Sequence, residues 1–135
     1  GNGNVLAFFE LPTQPDMGRD ENTPAWVQHI AFRVGSLEEL METKAHLEGM
    51  GLDVLGPTHH GIFKSIYFFD PNGHRVELAA DIGTDGQYAE LKRVAMPMLD
   101  EWSETKKAPQ HAAWLHELAR EEHAKAKAAE EPDLP

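Results

Sequence analysis

The sequence predicts an α+β fold, a βαβββ half-barrel followed by a C-terminal helical extension. Three observations predict it: four strand-like stretches lie between residues 26 and 80, one amphipathic helix interrupts them after the first, and beyond Gly83 the apolar residues recur at helical spacing. Trp26–Val34 (WVQHIAFRV) alternates: Trp26, Gln28, Ile30, Phe32 and Val34 lie on one side, with Gln28 its one polar member, and Val27, His29, Ala31 and Arg33 on the other. Ser36–Glu39 (SLEE) has the composition of a capping box, and Leu37, Leu40, Met41 and Leu47 continue it as a helical stripe. Gly49 and Gly51 stop that stripe, so the helix is expected over Leu37–Glu48. Leu52–Leu55 is a short strand before Gly56-Pro57. Ile62–Phe69 is a longer one, Asp70-Pro71-Asn72-Gly73 a tight turn, and His74–Ala80 the returning strand. Tyr88, Leu91, Val94, Ala95, Met98, Leu99 and Trp102 then mark a helix that Pro97 bends or divides. Pro109 opens a second helix, which runs into the Ala/Glu/Lys-rich end before Glu130-Glu131-Pro132.

Upstream, Val5–Leu11 (VLAFFEL) reads as a strand and Thr13–Pro24 as an exposed connector. Gly3–Leu11 (GNVLAFFEL) echoes Gly73–Leu78 (GHRVEL): both read Gly, apolar strand, Glu-Leu. The expected division is therefore 1–11, the last strand of a preceding module or a swapped strand; 12–25, a connector; 26–82, the βαβββ module; and 83–135, the C-terminal helices. One curved four-stranded sheet leaves its concave face open, so a homodimer, or completion by a missing N-terminal module, is expected. No Met opens the chain, which reads as processed or as part of a longer one.

Charge narrows the partners. The chain carries 23 Asp and Glu against 12 Lys and Arg, a net charge of −11. Such a surface repels phosphate backbones and anionic lipid, so nucleic acid and membrane are not expected partners. No apolar run approaches the ~18 residues of a span and no charged-then-apolar leader opens the chain, so a cytoplasmic location is expected. With no cysteine, any metal must sit on His, Asp or Glu.

Strand alternation supplies a candidate set. His29 shares a side with Ala31 and Arg33, Glu77 with Arg75 and Ala79, and Tyr67 with Ser65 and Phe69. If the opposite, greasy sides pack on the Leu37–Leu47 helix, then His29, Glu77 and Tyr67 all point onto the concave face. An imidazole and a carboxylate converging there suit a divalent Fe(II), Mn(II), Ni(II) or Zn(II) ion. A strand histidine is also commonly a hydrogen-bonded structural residue, and Tyr67 an ordinary strand aromatic.

Thr58–Glu77 (THHGIFKSIYFFDPNGHRVE) resembles the signature of type I extradiol ring-cleavage dioxygenases: a His, an apolar-Tyr pair, Asp-Pro-x-Gly, then a Glu. With His29 on the opening strand, residues 26–80 resemble one module of the vicinal oxygen chelate superfamily. That superfamily also includes glyoxalase I, fosfomycin- and bleomycin-resistance proteins, and methylmalonyl-CoA epimerase. The resemblance implies a module of the glyoxalase/extradiol dioxygenase type, with His29 and Glu77 as metal ligands, Fe(II) first among the ions. It also implies His60 as the acid/base histidine and Tyr67 as the group that hydrogen-bonds a catecholic substrate. The family takes a further ligand from the opening strand of a preceding module, and Glu10, on the echo strand, is the N-terminal candidate for that position. The implied function is ring-cleaving dioxygenation. The alternatives are a glyoxalase I-type lyase or isomerase, and a non-catalytic small-molecule binding protein of the same fold.

Overall fold

The computed structural model describes residues 5–15, 18, 20–24 and 26–130. Gly3 and Asn4 of the echo and Glu131-Pro132 lie outside them. The order is β1 (His29–Arg33), α1 (Leu37–Gly49), β2 (Leu55–His59), β3 (Phe63–Phe69), β4 (Arg75–Asp81), α2 (Asp85–Thr105) and α3 (Ala113–Glu130). The four strands form one sheet in the order β1-β4-β3-β2, with β1 parallel to β4 and the other pairs antiparallel. This is the expected βαβββ module with two C-terminal helices.

The core forms where α1 covers one face of β3 and β4. Leu40, Val54, Ile66 and Ala80 are buried there, with Val34, Leu37, Leu47, Leu52, Phe68 and Leu78 packed around them. The start of α1 follows from its sequence: Ser36 Oγ accepts from the Glu39 amide at 3.1 Å. The Glu39 carboxylate reaches back one residue further than a capping box requires, to the Gly35 amide at 2.7 Å. At the other end Gly51 takes φ +87°, the left-handed conformation that ends a helix at low cost.

Four expectations need correction. Ile30 and Phe32 do not join the core, because β1 is the sheet edge and both stay exposed. The second strand runs over Leu55–His59 rather than Leu52–Leu55, through Pro57; β2 is the other edge, where a missing N–H breaks no central ladder. Pro97 does not divide the helix, since it lies inside one continuous α2. The last helix begins at Ala113 rather than Pro109, since the Glu101 carboxylate holds Gln110 and His111 in a loop by accepting from the Gln110 amide and contacting His111 Nδ1 at 2.6 Å.

Val5–Leu11 pairs with no strand among the described residues, and Val5, Phe8 and Phe9 are 90%, 83% and 83% exposed. Tyr88 and Leu115 tie the C-terminal helices to the sheet and its β2–β3 turn. Tyr88 Oη donates to the Ile62 carbonyl at 2.8 Å, and Leu115 seats directly on Gly61, where a Cβ would lie 2.6 Å from its methyl.

Candidate metal centre

The face of the sheet away from α1 carries the candidate site. In the parallel β1·β4 pair Ala31 lies opposite Glu77, so His29 sits two residues along on the same face. Its ring reaches diagonally across, placing Nε2 2.8 Å from Glu77 Oε2. Glu77 is 5% exposed, and its other oxygen accepts from the hydroxyl of the fully buried Ser65. In the antiparallel β3·β4 pair Tyr67 lies directly opposite Glu77. The Tyr67 ring meets the His29 ring edge-on at 5.7 Å, and its hydroxyl lies 2.9 Å from His60 Nε2. His60 stands in the β2–β3 turn, its amide closing the hairpin on the Phe63 carbonyl and its ring stacked on Phe63 at 4.7 Å. Arg75 completes the set, with its guanidinium 4.6 Å above the Tyr67 ring.

The site's titration follows from its burial. Burial holds His60 below the ordinary histidine pKa of 6.5, against an opposing pull from the Glu77 charge. Burial, then the Glu77 charge, pushes the Tyr67 phenol above its ordinary value of 10.0. Near neutral pH the pair is therefore an uncharged imidazole and a protonated phenol, one hydrogen bond apart.

The donor set fits a divalent ion at two positions. His29 Nδ1 faces the Val27 carbonyl at 3.3 Å while Nε2 faces the Glu77 carboxylate. A neutral ring has only one N–H, so two acceptor oxygens leave one contact in need of a second proton or a cation. An imidazole nitrogen and a carboxylate oxygen, 2.8 Å apart, are donor types that would hold such an ion. The Val27 carbonyl would fix the ring through its other nitrogen. Glu10 does not complete the set within one chain: it lies exposed on the N-terminal segment. Among the described residues no three His, Asp or Glu side chains gather closely enough to hold one ion.

Of the residues expected from sequence, His29, Glu77, Tyr67 and His60 come together and Glu10 stays apart. Ser65 and Arg75 were missed as site residues, although alternation places them beside Tyr67 and Glu77.

The family model described as "Glyoxalase/Bleomycin resistance protein/Dioxygenase superfamily" matches residues 1–78. The chain belongs to this superfamily. Among its curated superfamily relatives is biphenyl-2,3-diol 1,2-dioxygenase 3 of Rhodococcus globerulus, 38% identical over 69 residues, which cover 50% of this chain and 36% of the relative. Metallothiol transferase FosB of Bacillus licheniformis is 39% identical over 79 residues, 57% of this chain and 48% of the transferase. A similar solved structure is fosfomycin resistance protein FosX of Listeria monocytogenes with Mn(II) and sulfate. It is 33% identical, covers 50% of this chain and 51% of that one, and has a TM-score of 0.36. The chain spans about a third to a half of the length of these superfamily members. The superfamily thus includes enzymes. No helix among the described residues is long and apolar enough to cross a membrane.

Proposed function

We propose that the chain is a metal-dependent vicinal oxygen chelate enzyme, most like an extradiol ring-cleavage dioxygenase acting on a catecholic substrate. The observation that carries this is one face holding two polar pairs side by side, His29 with Glu77 and His60 with Tyr67. His29 Nε2 and Glu77 Oε2 would hold the ion, Fe(II) first and Mn(II), Ni(II) or Zn(II) otherwise. When bound, the ion supplies two adjacent positions for vicinal oxygens and an open position for dioxygen. A further ligand comes from a second copy of the chain, as a homodimer, or from a preceding module.

The chain's own residues do the rest. Ser65 donates to Glu77 Oε1 and so fixes the carboxylate with its other oxygen toward His29. Tyr67, kept as a phenol by burial, offers its hydroxyl to a substrate oxygen and sets the ring's orientation. His60, kept uncharged, accepts at Nε2 from the Tyr67 hydroxyl, so a substrate hydroxyl proton passes to Tyr67 Oη as the phenol proton passes to Nε2, and returns by the same path.

Oxygen uptake with catechols, with and without Fe(II), tests this reading. Iron-dependent uptake supports it. Metal-dependent turnover without oxygen uptake points to a glyoxalase I-type lyase or isomerase. A folded protein that binds a small molecule but no metal is a non-catalytic binding module.

A further inference from the structure

A cavity of about 310 Å³ opens beside His29, between the connector and the β3–β4 turn; Asp20, Thr23, Gln28, His29, His74 and Arg75 contribute to its wall. That volume matches a single-ring ligand. Arg75 is the unusual member. Its Nε is buried without a hydrogen-bond partner, and its guanidinium rests on the Tyr67 ring instead of on a carboxylate. In a chain with 23 acidic residues, Arg33 and Arg93 both find carboxylates, at 2.7 and 2.6 Å, and Arg75 has none among the described residues. Asp20, on the cavity wall, does not serve it: its two oxygens accept from the Asn22 amide and the Thr23 hydroxyl. Glu77, two residues along the same strand face, is taken by His29 and Ser65. A guanidinium is permanently charged and carries five donors in a flat fork, so burying part of it unpaired is costly unless an acceptor arrives from outside.

We propose that Arg75 is the specificity-determining residue of the site and binds an oxyanion on the substrate, a carboxylate or a phosphonate. Its position against the same Tyr67 ring that His29 touches puts that anion on the His29 side of the cavity. The substrate class becomes a small ring or short chain carrying an acidic group together with its oxygen pair. The oxygen pair rests on the function proposed above; the anion contact does not.

Equilibrium binding of catechol, 3,4-dihydroxybenzoate, benzoate and phenylphosphonate to the full chain, with and without Mn(II), tests the proposal. With Mn(II), 3,4-dihydroxybenzoate should bind about 10- to 100-fold more tightly than catechol, the worth of one charge-assisted contact. Arg75→Gln should erase that difference, and Arg75→Lys, which keeps the charge but loses the fork, should restore part of it. If Arg75→Gln does not fold, the partial loss in Arg75→Lys carries the test. Equal affinity of wild type for the two catechols, or a carboxylate preference that survives loss of Arg75, overturns the anion contact and leaves the metal reading standing. Arg75-dependent binding of benzoate or phenylphosphonate, with no metal-dependent catechol binding, upholds the contact and overturns the catechol reading. The tighter of those two probes identifies the oxyanion.

Discussion

Ser65 is a small residue with a large leverage on Glu77. It is fully buried and donates to the carboxylate that would ligate the metal. Ser65→Ala removes a donor from a buried charged acceptor, a loss of about 1–3 kcal/mol. Denaturant unfolding should read that loss, and a metal titration should read an affinity drop of about 10–100-fold. His60 makes a second prediction, on pH. Burial holds His60 and, with help from the Lys64 charge, His59 below 6.5 in the folded chain. As pH falls through 6.5 the unfolded chain takes up protons that the folded chain resists, so this stability is present above 6.5 and lost on acidification. Melting temperature should fall between pH 7 and 5, above the range where carboxylates titrate, and His60→Asn should flatten that fall. A profile unchanged by the substitution would contradict the burial argument. His29, Glu77 and Tyr67 were legible in the sequence because strand alternation alone assigns them a face. Ser65 and Arg75 lay on those faces too, but their roles depend on register between strands and on which partners are already taken. Alternation within one strand carries neither. Glu10 was chosen by an echo of composition, which does not specify a position in space.

Gly61 joins the site to the C-terminal helices. Its φ is +89°, and a Cβ there would meet the Leu115 side chain at 2.6 Å and its carbonyl at 2.9 Å. Gly61→Ala should cost about 1–3 kcal/mol from backbone strain alone, and should displace α3 from the turn that holds His60. Adding Leu115→Ala relieves the side-chain clash but not the strain, so the double variant should recover part of the melting temperature. Full recovery would mean that φ at this position is immaterial. At this scale most of the module was readable: α1, β3 and β4 fall within a residue or so of their expected limits because their periodicity and flanking glycines agree. The misses came from prolines read as boundaries. Pro57 is tolerated on an edge strand and Pro97 within a long helix, and neither context is visible from the local sequence. The start of α3 depends on Glu101, nine residues before Gln110, holding the intervening loop.

The whole molecule leaves apolar surface uncovered at its N-terminal end and along β1. Val5, Phe8, Phe9, Trp26, Ile30 and Phe32 are exposed, and β1 presents a free sheet edge. Exposed apolar residues and an open sheet edge each favour burial against another chain or module. Sedimentation should therefore find a two-chain species that Phe8→Ser with Phe9→Ser weakens; a sharply monomeric wild type would contradict this. Under the proposed function such an assembly would also supply a further donor beside His29 and Glu77, where the described residues offer no third. Those two residues lie on the sheet face away from the core, so His29→Ala and Glu77→Ala should both stay folded by circular dichroism. Mn(II) titrated into the full chain, with free ion read by electron paramagnetic resonance, then decides whether they are ligands. Saturable binding in wild type that weakens by more than about 100-fold in each variant, beyond the loss from a supporting residue, is the expected result. Equal binding by all three proteins would contradict it and leave His29 a hydrogen-bonded structural histidine.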